Sequence, residues 1–282
     1  MIPLDTVRYE ILSENSGAKV LSEVELGQLT SMEEKEKRAL LEEPLTKPIR
    51  RFTIINEVYF RSKWAELLTA RYQASPITVL EAASGDADMI PQTLSRSNPG
   101  SQYITANMNQ SLNQSMRNKT KGLSVEFRLI DDDASQILRY VKPDSVDVAA
   151  FQHGVNDVLQ AILCGKYGID TVHANWMDCL PKMIELLNKE LAEGTFEDSV
   201  KDPFLNLVKN LLQTLRDGGI VAIHHYMFQL DLDWGYPPEL FHNLIPMVRG
   251  WCTGLEQCRE IRLEGFSDHW WLFLEKDRSI GG

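Results

Sequence analysis

The chain has 282 residues, 43% of them hydrophobic, which is enough for a substantial buried core. Its formal net charge of −11 disfavours a nucleic-acid partner, because affinity for nucleic acid depends mainly on Lys and Arg. We therefore expect a small-molecule substrate. The sequence contains no run of about 18 apolar residues, such as a membrane span requires. Its first residues lack the basic and apolar regions of a signal peptide. We therefore also expect no membrane partner and a cytoplasmic location.

Residues 1–74 are expected to form a helical extension of a larger domain at 75–282. Apolar residues such as Trp64 and Leu68 follow a helical spacing and predict a helix over residues 51–72. We expect this helix to cap one edge of the larger domain, with simple packing against that edge as the alternative.

The stretch from Pro76 to Asp88 predicts a strand, a turn of small residues and a helix. Residues 77–80 are apolar and partly β-branched, as in a buried parallel strand. A ligand can approach the turn closely because Gly85 has no Cβ. A dinucleotide-binding turn needs glycine at positions i, i+2 and i+5, which here are Ala83, Gly85 and Asp88. The spacing therefore argues against a nicotinamide dinucleotide.

The same residues resemble the motif of another cofactor. Val79-Leu-Glu-Ala-Ala-Ser-Gly-Asp-Ala87 is similar to the first motif of class I S-adenosylmethionine-dependent methyltransferases, in which an acidic residue and alternating glycines follow a hydrophobic strand. Glu81 takes the acidic position and Gly85 the central glycine, whereas Ala83 and Ala87 depart from the flanking glycines. The resemblance implies S-adenosylmethionine as the cofactor, with Glu81, Ala83 and Gly85 as its contacts.

A second strand, at 102–106, is followed by Asn107 and Met108. This resembles the family's second motif, where an acidic residue accepts hydrogen bonds from the ribose hydroxyls. The Asn107 amide can accept one such bond, and Met108 is expected beside it as a further cofactor contact. An N-terminal helical cover is common in related small-molecule methyltransferases, which makes Tyr59 another candidate contact.

A third strand, at 124–130, leads to Asp131, Asp132 and Asp133. The resemblance assigns one of these carboxylates to the adenine amino group, and the spacing does not choose among them. Three carboxylates also suggest a metal, but no neighbouring His or second acidic cluster accompanies them, and the four cysteines lack zinc spacing. We therefore expect no metal site.

Residues 145–151 are almost continuously apolar, which is typical of a central parallel strand. The family's transferred methyl group lies beyond this strand. The resemblance therefore implies Gln152 as a cofactor contact, Asn156 as a substrate contact and His153 as a candidate catalytic base. Asp157 also falls where the chemistry is expected. An ordinary histidine pKa near 6.5 would allow proton acceptance near neutral pH. A structural role for His153 is the alternative.

About sixty residues separate this strand from the next, more than one crossover helix needs. We expect a helical insertion at about 168–202 that borders the substrate, with Trp176 as a contact. Ordinary core packing of Trp176 is the alternative.

Asp217-Gly-Gly precedes an apolar strand and is similar to the turn before the family's fifth strand. The strand leads to His225, a second candidate base, and to Tyr226. An aromatic segment follows, in which Trp234 is expected to contact substrate together with Tyr226. Adjacent side chains of a strand point to opposite faces, so His224 and His225 are not expected to share one task.

Strands at 259–264 and 269–275 are expected to pair as a closing hairpin. The chain is therefore expected to have an α/β fold: a doubly wound, seven-stranded, mostly parallel sheet with an antiparallel C-terminal hairpin and an N-terminal helical cap.

We expect S-adenosylmethionine-dependent methyl transfer to a small-molecule acceptor, at O or N. The departures at Ala83, Ala87 and Asn107 favour the alternative, a non-catalytic regulatory protein that binds S-adenosylmethionine or a nucleoside. A nicotinamide-dependent oxidoreductase is the third hypothesis, which Asp88 disfavours. A homodimer is compatible with the sequence.

Overall fold

The computed structural model describes residues 55–73, 75–226 and 229–278, together with residues 31, 33 and 35. Its strands are β1 (Thr78–Ala82), β2 (Ser101–Ala106), β3 (Val125–Ile130), β4 (Val146–Gln152), β5 (Leu215–His224), β6 (Cys258–Ile261) and β7 (Trp271–Lys276). Its helices are α1 (Ile55–Tyr72), α2 (Met89–Ser97), α3 (Gln110–Lys119), the 3-10 helix η1 (Ala134–Arg139), α4 (Val155–Tyr167), α5 (Trp176–Glu193), α6 (Phe196–Thr214), α7 (Gln229–Asp233) and α8 (Pro238–Cys252). Within these ranges, no helix combines the length and apolar character that a bilayer crossing requires.

The strands form one sheet in the order β3-β2-β1-β4-β5-β7-β6. β1 to β5 are parallel, whereas β7 pairs antiparallel with both β5 and β6. This confirms the predicted mostly parallel, seven-stranded sheet with an antiparallel C-terminal hairpin. The strand order reverses between β1 and β4, and ligands of open α/β sheets bind beyond the carboxyl ends of the strands at such a point.

Helices cover both faces of the sheet, because alternate side chains of each buried strand point to opposite faces. On one face, Val79 belongs to an apolar cluster with Phe60 and Trp64 of α1. On the other face, Leu80 belongs to a cluster that includes apolar residues of α4, α6 and α8. The sheet is therefore doubly wound, and α1 is one of its packed layers. The rest of the predicted cap falls on residues outside the described ranges and stays a prediction.

The predicted insertion at 168–202 contains α5, which begins after the cap residue Asn175 and ends at Gly194. Its apolar side, including Leu180 and Leu187, is buried in the larger core cluster. The helix thus forms part of the same packed layer.

The sequence resemblance placed the double glycine in a turn before β5. In the structure, Gly218 and Gly219 lie within the strand. β5 already begins at Leu215, which is fully buried and pairs with Val146 of β4. The pairing then shifts register before Val148, and Gly218 has a left-handed φ of +72°. The glycines therefore accommodate an irregularity inside the strand.

We predict that Gly219→Ala destabilises the fold by about 1–3 kcal/mol. A Cβ at this position would lie 2.9 Å from the carbonyl oxygen of Arg216 and 3.1 Å from that of Asp147, so the backbone would have to shift. Gly250→Ala in α8 is the matched control, because its Cβ would meet nothing within 4 Å and alanine favours a helix. Urea unfolding of both variants is the measurement. Unchanged stability of Gly219→Ala would contradict the prediction.

Candidate functional site

A cavity of about 850 Å³ lies at the carboxyl ends of β1 and β2, beside α4. It is lined by the β1 turn, the end of β2, the start of η1, one side of α4, the segment before α5 and part of α6. The lining includes Ala83, Gly85, Asp86, Asn107, Met108, Leu112, Asp133, Asp157, Val158, Ala161, Ile162, Gly165, Asp170, Trp176 and Leu207. The cavity therefore lies where the strand order predicts a ligand site.

The turn after β1 is held in an unusual backbone conformation. Ala83 and Gly85 both have left-handed φ angles, +55° and +57°. Only glycine adopts this region without a steric penalty, so Ala83 carries a strain of about 1–2 kcal/mol. The Ala83 N–H donates to the carbonyl oxygen of Ala106, and the Asn107 side chain donates to that of Gly85 at 3.1 Å. The turn is thus fixed to β2, and Ala83 takes a glycine-like conformation at the position where the family has glycine.

The structure separates the three consecutive carboxylates. Asp131 pairs with Arg117 at 2.8 Å, and Asp132 accepts a hydrogen bond from the Tyr140 hydroxyl. Only the third of them, Asp133, lines the cavity, where it also caps η1 by accepting from the N–H of Ser135. Asp133 is therefore the one placed to meet a ligand.

Two predicted cofactor residues, Glu81 and Gln152, do not line the cavity. Glu81 is 1% exposed and accepts a hydrogen bond of 2.6 Å from the Tyr103 hydroxyl. Gln152 accepts one from the indole N–H of Trp64 in α1. Both therefore lie in the layer that α1 covers. Tyr59 belongs to the first turns of α1, whose side chains are outside the described set.

The two candidate bases, His153 and His225, stack on each other with ring centroids 4.6 Å apart and planes within 4°. Neither lines the cavity. Burial lowers the pKa of His153 to about 3, and it also holds the pKa of His225 well below its ordinary value. The expectation of an ordinary histidine pKa was therefore wrong, and neither ring is a good proton acceptor at neutral pH. His224 faces Phe60 instead, so the two adjacent histidines have separate surroundings, as alternation predicts.

Of the four predicted substrate contacts, only Trp176 lines the cavity. Tyr226 is fully buried against Phe60 of α1, and Asn156 is 7% exposed. Trp234 is 40% exposed and lies outside the lining. The described residues Tyr226 and Trp234 thus do not contribute to the cavity wall, whereas Met227 and Phe228 lie outside the described ranges.

Asp157 lines the cavity. The sequence places it with His153 and Asn156 where chemistry is expected, but only Asn156 was assigned as a substrate contact. Asp157, Ala161 and Gly165 are spaced by four residues and so share one side of α4. A carboxylate followed by two small residues at intervals of four is the sequence pattern from which this side of α4 could have been predicted as a cavity wall. Burial, and then the nearby Asp231 carboxylate, raise the pKa of Asp157 to about 7.

We predict that Glu81→Gln stabilises the fold more at high pH than at low pH. Burial raises the pKa of Glu81 from 4.5 to about 8, so between these values the folded state binds more protons than the unfolded state. Stability then falls as pH rises through this interval, and glutamine removes that loss. The gain should reach several kcal/mol above pH 8, since one pKa unit corresponds to about 1.36 kcal/mol. Urea unfolding at pH 5, 7 and 9 tests this, and a gain independent of pH would rule it out.

No protein-family model matches the chain, and no curated protein matches it in sequence. Among solved structures, it is similar to a proposed S-adenosylmethionine-dependent methyltransferase from Methanococcus maripaludis, with 9% identity, 88% of this chain and 94% of the other covered, and a TM-score of 0.46. A methyltransferase of the same cofactor class from Aquifex aeolicus shares 11% identity over 75% of this chain and 88% of its own, with a TM-score of 0.46. A proposed rRNA methylase from Clostridium thermocellum shares 12% identity over 76% of this chain and 95% of its own, with a TM-score of 0.42.

These similarities are too distant to identify a reaction or an acceptor. The strand order is independent of them. Parallel strands in the order β3-β2-β1-β4-β5 are followed by the antiparallel β7 and by β6. The chain therefore has the mostly parallel, seven-stranded α/β fold with a C-terminal hairpin that its resemblance to class I S-adenosylmethionine-dependent methyltransferases implied.

Proposed function

We propose that the chain catalyses S-adenosylmethionine-dependent methyl transfer to a small-molecule acceptor, at O or N. The observation that carries this proposal is one cavity shared by the β1 turn, the end of β2 and Asp133. These are three of the places where the resemblance puts the cofactor's contacts, whereas Glu81 and Gln152 lie outside the lining. The volume of about 850 Å³ lies within the range of about 300–1,000 Å³ that is common for cofactor and ligand sites.

The residues present fit this cofactor. Asn107 offers an amide for the ribose hydroxyls, Asp133 a carboxylate for the adenine amino group and Met108 an apolar contact. The left-handed turn at Ala83 and Gly85 presents backbone to the cavity with little side chain in the way. When bound, S-adenosylmethionine supplies an electrophilic methyl group on a positively charged sulfur.

The charge of the cavity supports a sulfonium cofactor over a dinucleotide. Asp86, Asp133, Asp157 and Asp170 line it, and none of the described lining residues is Lys, Arg or His. A pyrophosphate would meet these carboxylates with no cation in the described lining, whereas a sulfonium cation would be attracted. The same argument supports a small acceptor over a nucleic acid, whose backbone phosphates require basic contacts.

A non-catalytic protein that binds the same cofactor is the second candidate, and the weak basicity of His153 and His225 favours it. Asp157 is an alternative base to these two histidines, because it lines the cavity and its pKa of about 7 suits a general base. A cytoplasmic location and a homodimer stay predictions.

We predict that S-adenosylmethionine and S-adenosylhomocysteine bind, whereas nicotinamide dinucleotides do not. Calorimetric titration of the purified chain with each compound is the measurement. Tight binding of a dinucleotide, with no binding of either sulfur nucleoside, would refute the proposed function.

We predict that Gly85→Val loses affinity for S-adenosylhomocysteine by at least tenfold while the chain stays folded. Its Cβ would point toward Leu112, 3.7 Å away on the cavity wall, and valine at φ +57° is strained. Gly122→Val is the matched control, with φ +81° and nothing within 4 Å of its Cβ. It should lose stability and keep its affinity. Equal affinity of the two variants would show that the ligand does not contact the β1 turn.

A further inference from the structure

We propose that the acceptor is an apolar amine, and that the Asp157 carboxylate binds its ammonium group and removes a proton from it. This inference rests on the proposed function and narrows its acceptor from O or N to nitrogen. It follows from which carboxylates of the cavity are already engaged, from the single hydrogen-bond donor that Asp157 has in the protein and from the apolar character of the walls.

Three of the four lining carboxylates have strong partners elsewhere. Asp86 pairs with Lys119 at 2.8 Å and accepts from Ser115 at 2.8 Å. Asp133 accepts from the Ser135 N–H at 2.7 Å, which caps η1. Asp170 accepts from the N–H groups of Val172 and His173, at 2.9 and 3.0 Å. These three carboxylates therefore have hydrogen-bond donors within the protein, and Asp133 is in addition the proposed contact of the adenine amino group.

Asp157 differs from them, because its hydrogen bond is with a single neighbouring amide. The Asn156 side-chain NH₂ donates to Asp157 Oδ1 at 3.0 Å. No cation pairs with Asp157 among the described residues, and the charged group that raises its pKa, after burial, is another carboxylate, Asp231. The described protein groups therefore stabilise the negative charge of the Asp157 carboxylate poorly, and a cationic ligand would supply the missing positive charge.

The Asn156 side chain is buried beside Asp157 and does not line the cavity. The residue is 7% exposed, and its Oδ1 has no hydrogen-bond partner among the described residues. A reversed amide would turn this oxygen toward the Asp157 carboxylate, which is unfavourable. The two oxygens of Asp157 thus have one donor among the described residues, which fits a ligand with several N–H groups, and an ammonium group carries three. A hydroxyl offers one donor, and a carboxylate or phosphate offers none.

The walls around Asp157 are apolar. Val158 and Ile162 follow it on α4, and Trp176 and Leu207 lie on α5 and α6. Such walls suit an alkyl or aromatic body on the acceptor. The ligand chemistry that fits best is thus an alkyl or aralkyl amine.

The proposed step conserves charge and atoms. The Asp157 carboxylate takes one proton from the bound ammonium and becomes a neutral carboxyl group, which leaves the nitrogen lone pair free. The lone pair forms a bond to the sulfonium methyl carbon as the carbon–sulfur bond breaks, and that bond's electron pair stays on sulfur. The products are a methylated ammonium and a neutral thioether. Asp231 and Tyr236 face Asp157, and the Asp231 charge favours this protonation.

The test measures binding before catalysis. The chain is saturated with S-adenosylhomocysteine and titrated with phenethylamine and hexylamine, and separately with their isosteres phenethyl alcohol, hexanol, hydrocinnamate and hexanoate. We expect the amines to bind at least tenfold more tightly than the alcohols and the carboxylates not to bind. Absence of amine binding, or equal binding of amines and alcohols, overturns the inference.

Asp157→Asn keeps the shape of the side chain and removes its charge. We expect this variant to lose amine affinity by at least tenfold and methyl transfer to the amines by about 10²–10⁴-fold, with S-adenosylhomocysteine affinity unchanged. Asp178→Asn is the matched control, an exposed first-turn residue of α5 outside the cavity, and should change none of these values. Thermal unfolding verifies that both variants are folded.

The outcomes separate the inference from the proposed function. If S-adenosylhomocysteine binds but Asp157→Asn retains amine affinity, only the amine proposal fails. If Asp157→Asn weakens S-adenosylmethionine but not S-adenosylhomocysteine, Asp157 holds the sulfonium and the amine proposal also fails. If neither sulfur nucleoside binds the unmodified chain, the proposed function itself fails.

Discussion

The geometry of the cavity depends on the close approach of two backbone turns where the strand order reverses. Gly154 begins α4 against the β1 turn, and a Cβ there would come within 3.2 Å of the carbonyl oxygen of Ala83 and 3.3 Å of that of Ala82. On its other side the β1 turn is bonded to β2 through Ala106 and Asn107. Contacts from both neighbours thus keep Ala83 in its strained conformation, and they set the distance between the cofactor turn and the wall that carries Asp157.

A second constraint lies on the opposite side of the same strand ends. Glu81, Gln152 and His224 are buried in the layer under α1, and each has at least one side-chain atom with no hydrogen-bond partner among the described residues. Such atoms cost stability, about 1–3 kcal/mol each when nothing compensates them. The apolar packing of α1, with Trp64 and Phe60 fully buried, offsets this cost locally. α1 is therefore part of the structural support of the site, since it covers polar groups that the sheet leaves unsatisfied.

The sheet could be predicted because each of its parallel strands can be recognised from its own short stretch of sequence. Each parallel strand is a short apolar run bounded by small or polar residues, as at Val146–Gln152, and the order of such runs indicated the topology. The three carboxylates after β3 could not be separated, because their roles depend on Arg117 and Tyr140, which approach from other elements. The basicity of His153 could not be predicted either, because the burial that lowers its pKa is a property of the packed chain.

The selection of Asn156 over Asp157 has another cause. Both residues lie in the first turn of α4, and consecutive helical positions differ by about 100° in direction, so a one-residue error exchanges a cavity residue for a buried one. The side of α4 that faces the cavity can be recognised only when Asp157 is considered together with Ala161 and Gly165, which follow it at intervals of four residues.

The small side chains of Ala161 and Gly165 leave open the volume next to Asp157, and neither belongs to the β1 turn or to the end of β2. A larger residue at either position would shorten the cavity from one side while the surfaces proposed for the cofactor kept their shape. Related chains could therefore diverge in the size of the molecule they accept through substitutions on a single helix. The cofactor half and the acceptor half of the cavity are, in this sense, free to evolve separately.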